Sequence, residues 1–284
     1  MASARHEREA EKESNPVMNQ VISIAAIASL AGSASAAIGF GITDAGQAGS
    51  QLVTWAPGDT AVTNIGPIYN DYDLESSDIN AAGDWFVIGG GNGSFKDELF
   101  QANKSTGALT SLGVIGFANP ANSNREVVSA SFNDASGDLW VYRQSVGFFS
   151  IDIANPATPT LEFARPGNVE AMAWNPAGDT LYYFDQRDLF SWDALNGETA
   201  IANGVFPDSV EALEFDLDGN LIAGLEQNSS SFDLFQVAID GSSTTLVDSF
   251  AAPSGDIESI TFIPAPGPAA LAAFAGLAAA RRRR

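Results

Sequence analysis

The chain alternates short runs of β-branched, aromatic and aliphatic residues with clusters of Gly, Asn, Asp and Ser. The clearest quartet of runs covers residues 210–216, 221–226, 233–239 and 244–250, separated by Asp218-Gly219-Asn220, residues 228–231 and Asp240-Gly241. Runs this short, joined by residues that tolerate a left-handed backbone, predict antiparallel strands linked by hairpins.

The quartet recurs. Val169-Glu170-Ala171-Met172-Ala173-Trp174 returns as Val210-Glu211-Ala212-Leu213-Glu214-Phe215, with Gly178 and Gly219 spaced by 41 residues. Weaker copies begin at Leu74, Val127 and Ile257, so the unit appears five times. A second marker falls between them at Leu52, Leu99, Phe148, Leu189 and Leu234, at spacings of 47, 49, 41 and 45. Periods of this size with several strands per unit predict a β-propeller. The first runs, 39–43, 51–55 and 61–65, read as the later strands of a unit, and the last run, 257–263, reads as a lone first strand. An all-β propeller of five four-stranded blades follows, closed where the final strand joins the first ones; strands hidden in 65–73 or 116–125 would make it six.

Composition narrows the chemistry. Of 35 acids and 13 bases, four acids and seven bases lie outside residues 37–263, which leaves that body a net charge of −25. Such a surface repels phosphate backbones, so nucleic acid is not an expected partner. Cysteine is absent and the single histidine is His6, ahead of the body. Disulfides, Ser-His-Asp and Cys-His nucleophile systems and histidine-ligated metals are therefore excluded from residues 37–263. Any catalysis would rest on carboxylates, Tyr, Lys, Arg or a hard cation.

Glu75, Glu170, Glu211 and Glu258 occupy one equivalent position near the start of four innermost strands, with Val128 in the fifth. In a closed propeller they circle one mouth of the channel. They are candidate calcium ligands, and no other cofactor is expected. The reading preferred on symmetry is a structural clasp, each Glu accepting backbone N–H groups of a neighbouring blade. Asp216-Leu217-Asp218-Gly219-Asn220 lacks the Gly and Glu spacing of an EF-hand loop and reads as a hairpin turn. Gly89-Gly90-Gly91-Asn92-Gly93 lacks the ending of a phosphate loop and reads as a flexible connection. Trp55, Trp85, Trp140, Trp174 and Trp192 are expected to pack between blades, with one or two at a rim available for stacking on sugars.

The blade that starts at Glu170, with Trp174-Asn175-Pro176, Leu181-Tyr182-Tyr183 and Asp185, resembles calcium-dependent lactonase propellers of the gluconolactonase and regucalcin type. That resemblance implies a calcium-dependent hydrolase acting through carboxylates at the channel mouth.

The ends carry a different kind of signal. Residues 21–30 are apolar and small, and Ala34 and Ala36 form an Ala-x-Ala site, so residues 1–36 read as an extension and secretory signal cut after Ala36. Residues 264–284 combine Pro264-Ala265-Pro266, an apolar stretch over 269–280 and Arg281, Arg282, Arg283 and Arg284. This order resembles the PEP-CTERM sorting signals of bacterial exported proteins, with Ala265 in place of the central Glu. The resemblance implies an exosortase-type peptidase as partner, transient membrane contact through the tail, and a final place at the cell surface or outside the cell. Together the readings describe an exported, surface-sorted propeller acting as a non-catalytic binding or structural module. Its partners would be an extracellular polysaccharide or an envelope protein, with the calcium-dependent hydrolase as the alternative.

Overall fold

The computed structural model describes residues 37–44, 49–91, 93–118, 125–228, 231–252 and 255–264. Three strands open the body: β1 (Ala37–Asp44), β2 (Gly49–Trp55) and β3 (Thr63–Asn70). The second blade follows as β4 (Leu74–Ile79), β5 (Trp85–Gly89), β6 (Glu98–Ala102) and β7 (Leu109–Val114). The third is β8 (Val127–Asn133), β9 (Asp138–Arg143), β10 (Gly147–Ile151) and β11 (Thr160–Ala164). The fourth is β12 (Ala171–Trp174), β13 (Leu181–Asp185), β14 (Asp188–Asp193) and β15 (Gly197–Ala202). The fifth is β16 (Ala212–Phe215), β17 (Leu221–Asn228), β18 (Ser231–Val237) and β19 (Thr244–Ala251), and β20 (Ile257–Pro264) ends the series.

These strands form five four-stranded antiparallel sheets, one of them in the order β20-β1-β2-β3. The fold is thus a five-bladed β-propeller closed by its last strand. The stretch weighed as a sixth blade belongs in part to β3, which continues past Ile65 to Asn70. The inner strands β20, β4, β8, β12 and β16 each lie beside the next around the ring.

Both faces of a blade are covered by its neighbours, so a middle strand such as β5 is apolar on both sides, with every residue buried. Five hydrophobic clusters fill the five gaps between blades. The inner strands carry Ser76, Ser77, Ser129, Ser131, Ser259 and Thr261 instead, all buried, because only small side chains fit where five strands converge. The cavity that Ser76, Ser77, Ser129 and Ser259 line together with Glu170, Glu211 and Glu258 has a volume of about 10 Å³. That is room for roughly one water, so the channel is plugged.

The closure depends on one glycine. Gly39 of β1 pairs with Trp55 on one side and Phe262 on the other, and a Cβ at Gly39 would lie 2.0 Å from the Trp55 ring. The missing side chain lets the indole cross the seam to meet Phe262 edge-on at 6.3 Å and Phe250 at 5.5 Å. Pro264, the first proline of the stem read from sequence, is the last residue of β20 and pairs with Ala37. Ala34, Ala36, Pro266 and Arg281 to Arg284 lie outside the described residues.

Candidate metal centre

Every inner strand starts at the same end of the channel, and the repeated glutamates collect there. At the equivalent position in β4 and β8 the ladder slips by one residue, between Leu74 and Ser76 and between Val127 and Ser129, which confirms Val128 as the counterpart of Glu75. The four glutamates are half-buried and form an electrostatic chain: Glu258 feels Glu75 and Glu211, and Glu211 hydrogen-bonds Glu170.

Further carboxylates join them. Oxygens of Asp73, Glu75 and Glu126 converge to within 4.8 Å of one another, and so do those of Asp44, Asp256 and Glu258. Oxygens at most that far apart can share one hard cation, since calcium takes its ligands at about 2.3 to 2.6 Å. Glycines make both groups possible. A Cβ at Gly90 would lie 2.0 Å from Glu75 Cγ, one at Gly91 would lie 1.7 Å from Glu126 Oε2, and one at Gly255 would lie 1.4 Å from the Asp44 carbonyl oxygen. The residues 89–91 expected as a flexible connection are instead a close-fitting wall for the first group, with Gly90 N–H donating to the Asp73 carbonyl at 2.5 Å.

Burial and like charge act in the same direction here. Burial first, then the charges of Asp73, Glu126 and Asp44, push Glu75 up to about 9. Burial and Glu170, with Asp256 and Glu226 behind, push Glu211 up to about 8. Glu258 stands well above the carboxylate range because it is buried beside Glu75, Asp256, Glu211 and Asp44. Glu126 is raised by burial and Asp73, partly offset by Lys96. Glu170 is held by amide donors: Asn168 Nδ2 donates to its Oε1 at 2.6 Å, and Gln144 in turn donates to Asn168 at 2.9 Å.

The far end of the channel holds carboxyls of another character. Asp78, 5% exposed, accepts the backbone N–H groups of Phe132 and Ile79, both at 2.6 Å, and the Thr261 hydroxyl at 2.9 Å. Glu214 hydrogen-bonds Asp78 and is raised well above its ordinary range by burial and then by the Asp78 charge. Asp78 itself is pushed up to about 6 by burial, against the pull of its donors. Asp78 therefore joins the second blade to the third, the fifth and the closing blade. Ser77 with Ser259 at 2.7 Å, and Trp174 N–H donating to Ser131 at 3.0 Å, add two further interblade bonds. An interblade clasp built on backbone N–H groups is thus made by Asp78.

Of the residues that sequence reasoning missed, three had a signal. Asp73, Glu126 and Asp256 each stand two places before the repeated ring position, where the other two blades have Asn168 and Ser209. Acids at that place fall in three adjacent blades and break the five-fold symmetry. Asp44, at the end of β1, carried no repeat signal.

No protein-family model matches this chain, and no curated protein matches it. Among solved structures it is similar to TolB from Acinetobacter baumannii, at 9% identity over 81% of this chain and 67% of that one, with a TM-score of 0.51. It is also similar to a protein from Agrobacterium tumefaciens described as the calcium-binding protein regucalcin, at 14% identity over 80% and 79% of the two chains, with a TM-score of 0.49. A luciferin-regenerating enzyme matches at 15% identity over 78% of each chain, with a TM-score of 0.48. At such identities the likeness concerns the fold alone.

Proposed function

We propose that this chain is an exported, non-catalytic binding propeller whose acidic mouth takes up a hard divalent cation, with calcium the best fit. The observation that carries the reading is the pair of converging carboxylate groups around Glu75 and Glu258, crowded by like charge and walled by glycine. A divalent ion would supply the counter-charge that the surrounding acids do not, and oxygen-only ligands suit calcium. A structural or binding role fits the plugged channel, which leaves no space for a substrate beneath the mouth.

Calorimetric titration of the full chain with calcium tests this. Saturable binding that is lost in the double variant Glu75→Gln with Glu258→Gln is the expected result. No heat at millimolar calcium, together with an unchanged melting temperature, would overturn it.

One observation favours the calcium-dependent hydrolase as a second reading: Glu75 and Glu211 keep protons near neutral pH, as a general acid must. Calcium-stimulated hydrolysis of a lactone, lost in Glu211→Gln, would decide for it. Export, release of the segment before Ala37 and sorting by an exosortase-type peptidase belong to the same proposal and rest on the sequence of the two ends. Fractionation of cells expressing the chain with and without Arg281 to Arg284 measures that part.

A further inference from the structure

Away from the mouth, a groove of about 670 Å³ runs between the third and fourth blades, near the turns that follow β8, β12 and β14. Trp140, Trp174 and Trp192 line it. Trp140 and Trp174 meet edge-to-face at 4.8 Å, Trp192 lies 5.4 Å from Trp140, and Phe163 stacks on Trp192 at 9°. The indoles are thereby locked into one rigid aromatic corner. Asp138, Glu162, Asp179 and Asp193 share the lining, which contains no lysine or arginine. Three of these carboxylates are oriented in advance. Ser150 donates to Glu162 at 2.6 Å, Asn175 to Asp179 at 2.7 Å, and the N–H groups of Leu195 and Asn196 to Asp193 at 2.9 and 2.7 Å.

Trp140 and Trp174 are each 6% exposed, and Trp192 is half-buried. The ligand that suits this wall offers hydroxyl hydrogens to carboxylates and an apolar face to the aromatic rings. An anion is repelled by the four acids. A simple cation would satisfy the acids but leave the aromatic wall uncovered. We propose that this groove binds a neutral saccharide, at a site separate from the acidic mouth and independent of its cation.

Three of the five tryptophans of the chain line the groove, so intrinsic fluorescence reads it directly. The full chain is titrated with neutral tetrasaccharides of glucose, galactose and N-acetylglucosamine, and with spermidine as the cationic arm. The expected result is a saturable change with at least one sugar, weakened about tenfold or more in Glu162→Gln or Trp192→Ala. Glu162→Gln keeps the backbone and the Ser150 contact available, so it serves if Trp192→Ala fails to fold. No saturable change with any sugar at roughly 10 mM, a response that both variants leave intact, or a response to spermidine alone would each overturn the proposal.

Discussion

The two ends of the propeller channel are built from the same kind of residue and do different things. At one end Asp78 is a buried carboxylate that accepts from its own, the third and the closing blade, and Glu214 of the fifth blade hydrogen-bonds it to complete the network. At the other end Glu75, Glu211 and Glu258 are raised just as clearly, but their neighbours are Asp44, Asp73, Glu126 and Asp256. The direction of a shifted acidity therefore does not separate a structural carboxyl from a binding one. The identity of the groups around it does: neutral donors complete the first end, while at the second the raised glutamates are crowded by other acids.

Replacement of Asp78 by alanine gives the sharpest test of the contrast. It strands two backbone N–H groups and a hydroxyl in the interior, and is expected to cost about 4 kcal/mol, seen as an early transition in denaturant, with or without calcium. The mouth should behave in the opposite sense. Calcium at 100 times its dissociation constant is expected to stabilise the wild-type chain by about 2.7 kcal/mol, and Glu258→Gln should remove most of that gain in thermal melts.

Acidity offers a third comparison. Glu75 and Glu211 titrate at about 9 and 8 in the folded chain and in the ordinary carboxylate range once unfolded, so the folded form holds more protons between those limits. Metal-free stability should thus be greatest near pH 4.5 and fall as the pH rises toward 9. Calcium competes with those protons, so its stabilising effect should grow over the same interval. Denaturant midpoints measured at pH 5, 7 and 9, with calcium and with chelator, check both slopes. The smallest effect is expected from Glu211→Gln without calcium at pH 9, where Glu211 is charged and the variant relieves its repulsion from Glu170, raising stability by about 0.5 kcal/mol. A loss of stability instead would place Glu211 with Asp78 among the structural carboxyls.

Much of the fold was legible because a propeller repeats its local chemistry. The spacing from Gly178 to Gly219 marks one blade, and the lone run ending near Phe262 marks the closure, confirmed by the row Phe262, Gly39, Trp55. Strand ends were less legible: β16 begins at Ala212, two residues later than its apolar run suggests, while β3 extends past the run 61–65 to Asn70. The ring of Glu75, Glu170, Glu211 and Glu258 was visible for the same reason as the blades. The residues that give it asymmetry were not, because Asp44 belongs to no repeat, and Asp78 and Glu214 meet only across the channel. Gly90 and Gly91 looked like slack in the chain, since a sequence does not show which side chain will occupy the space a missing Cβ leaves.

The seam between β1 and β20 has a mechanical consequence. Ala37 and Pro264 sit side by side at the same end of an antiparallel pair, so a pull exerted through the chain at both ends loads their hydrogen bonds one rung at a time. Such a ring unzips under modest tension instead of resisting in shear. Resistance to heat and resistance to stretching are thus separate properties of this protein, and tethering it by one end alone would leave the zip untouched.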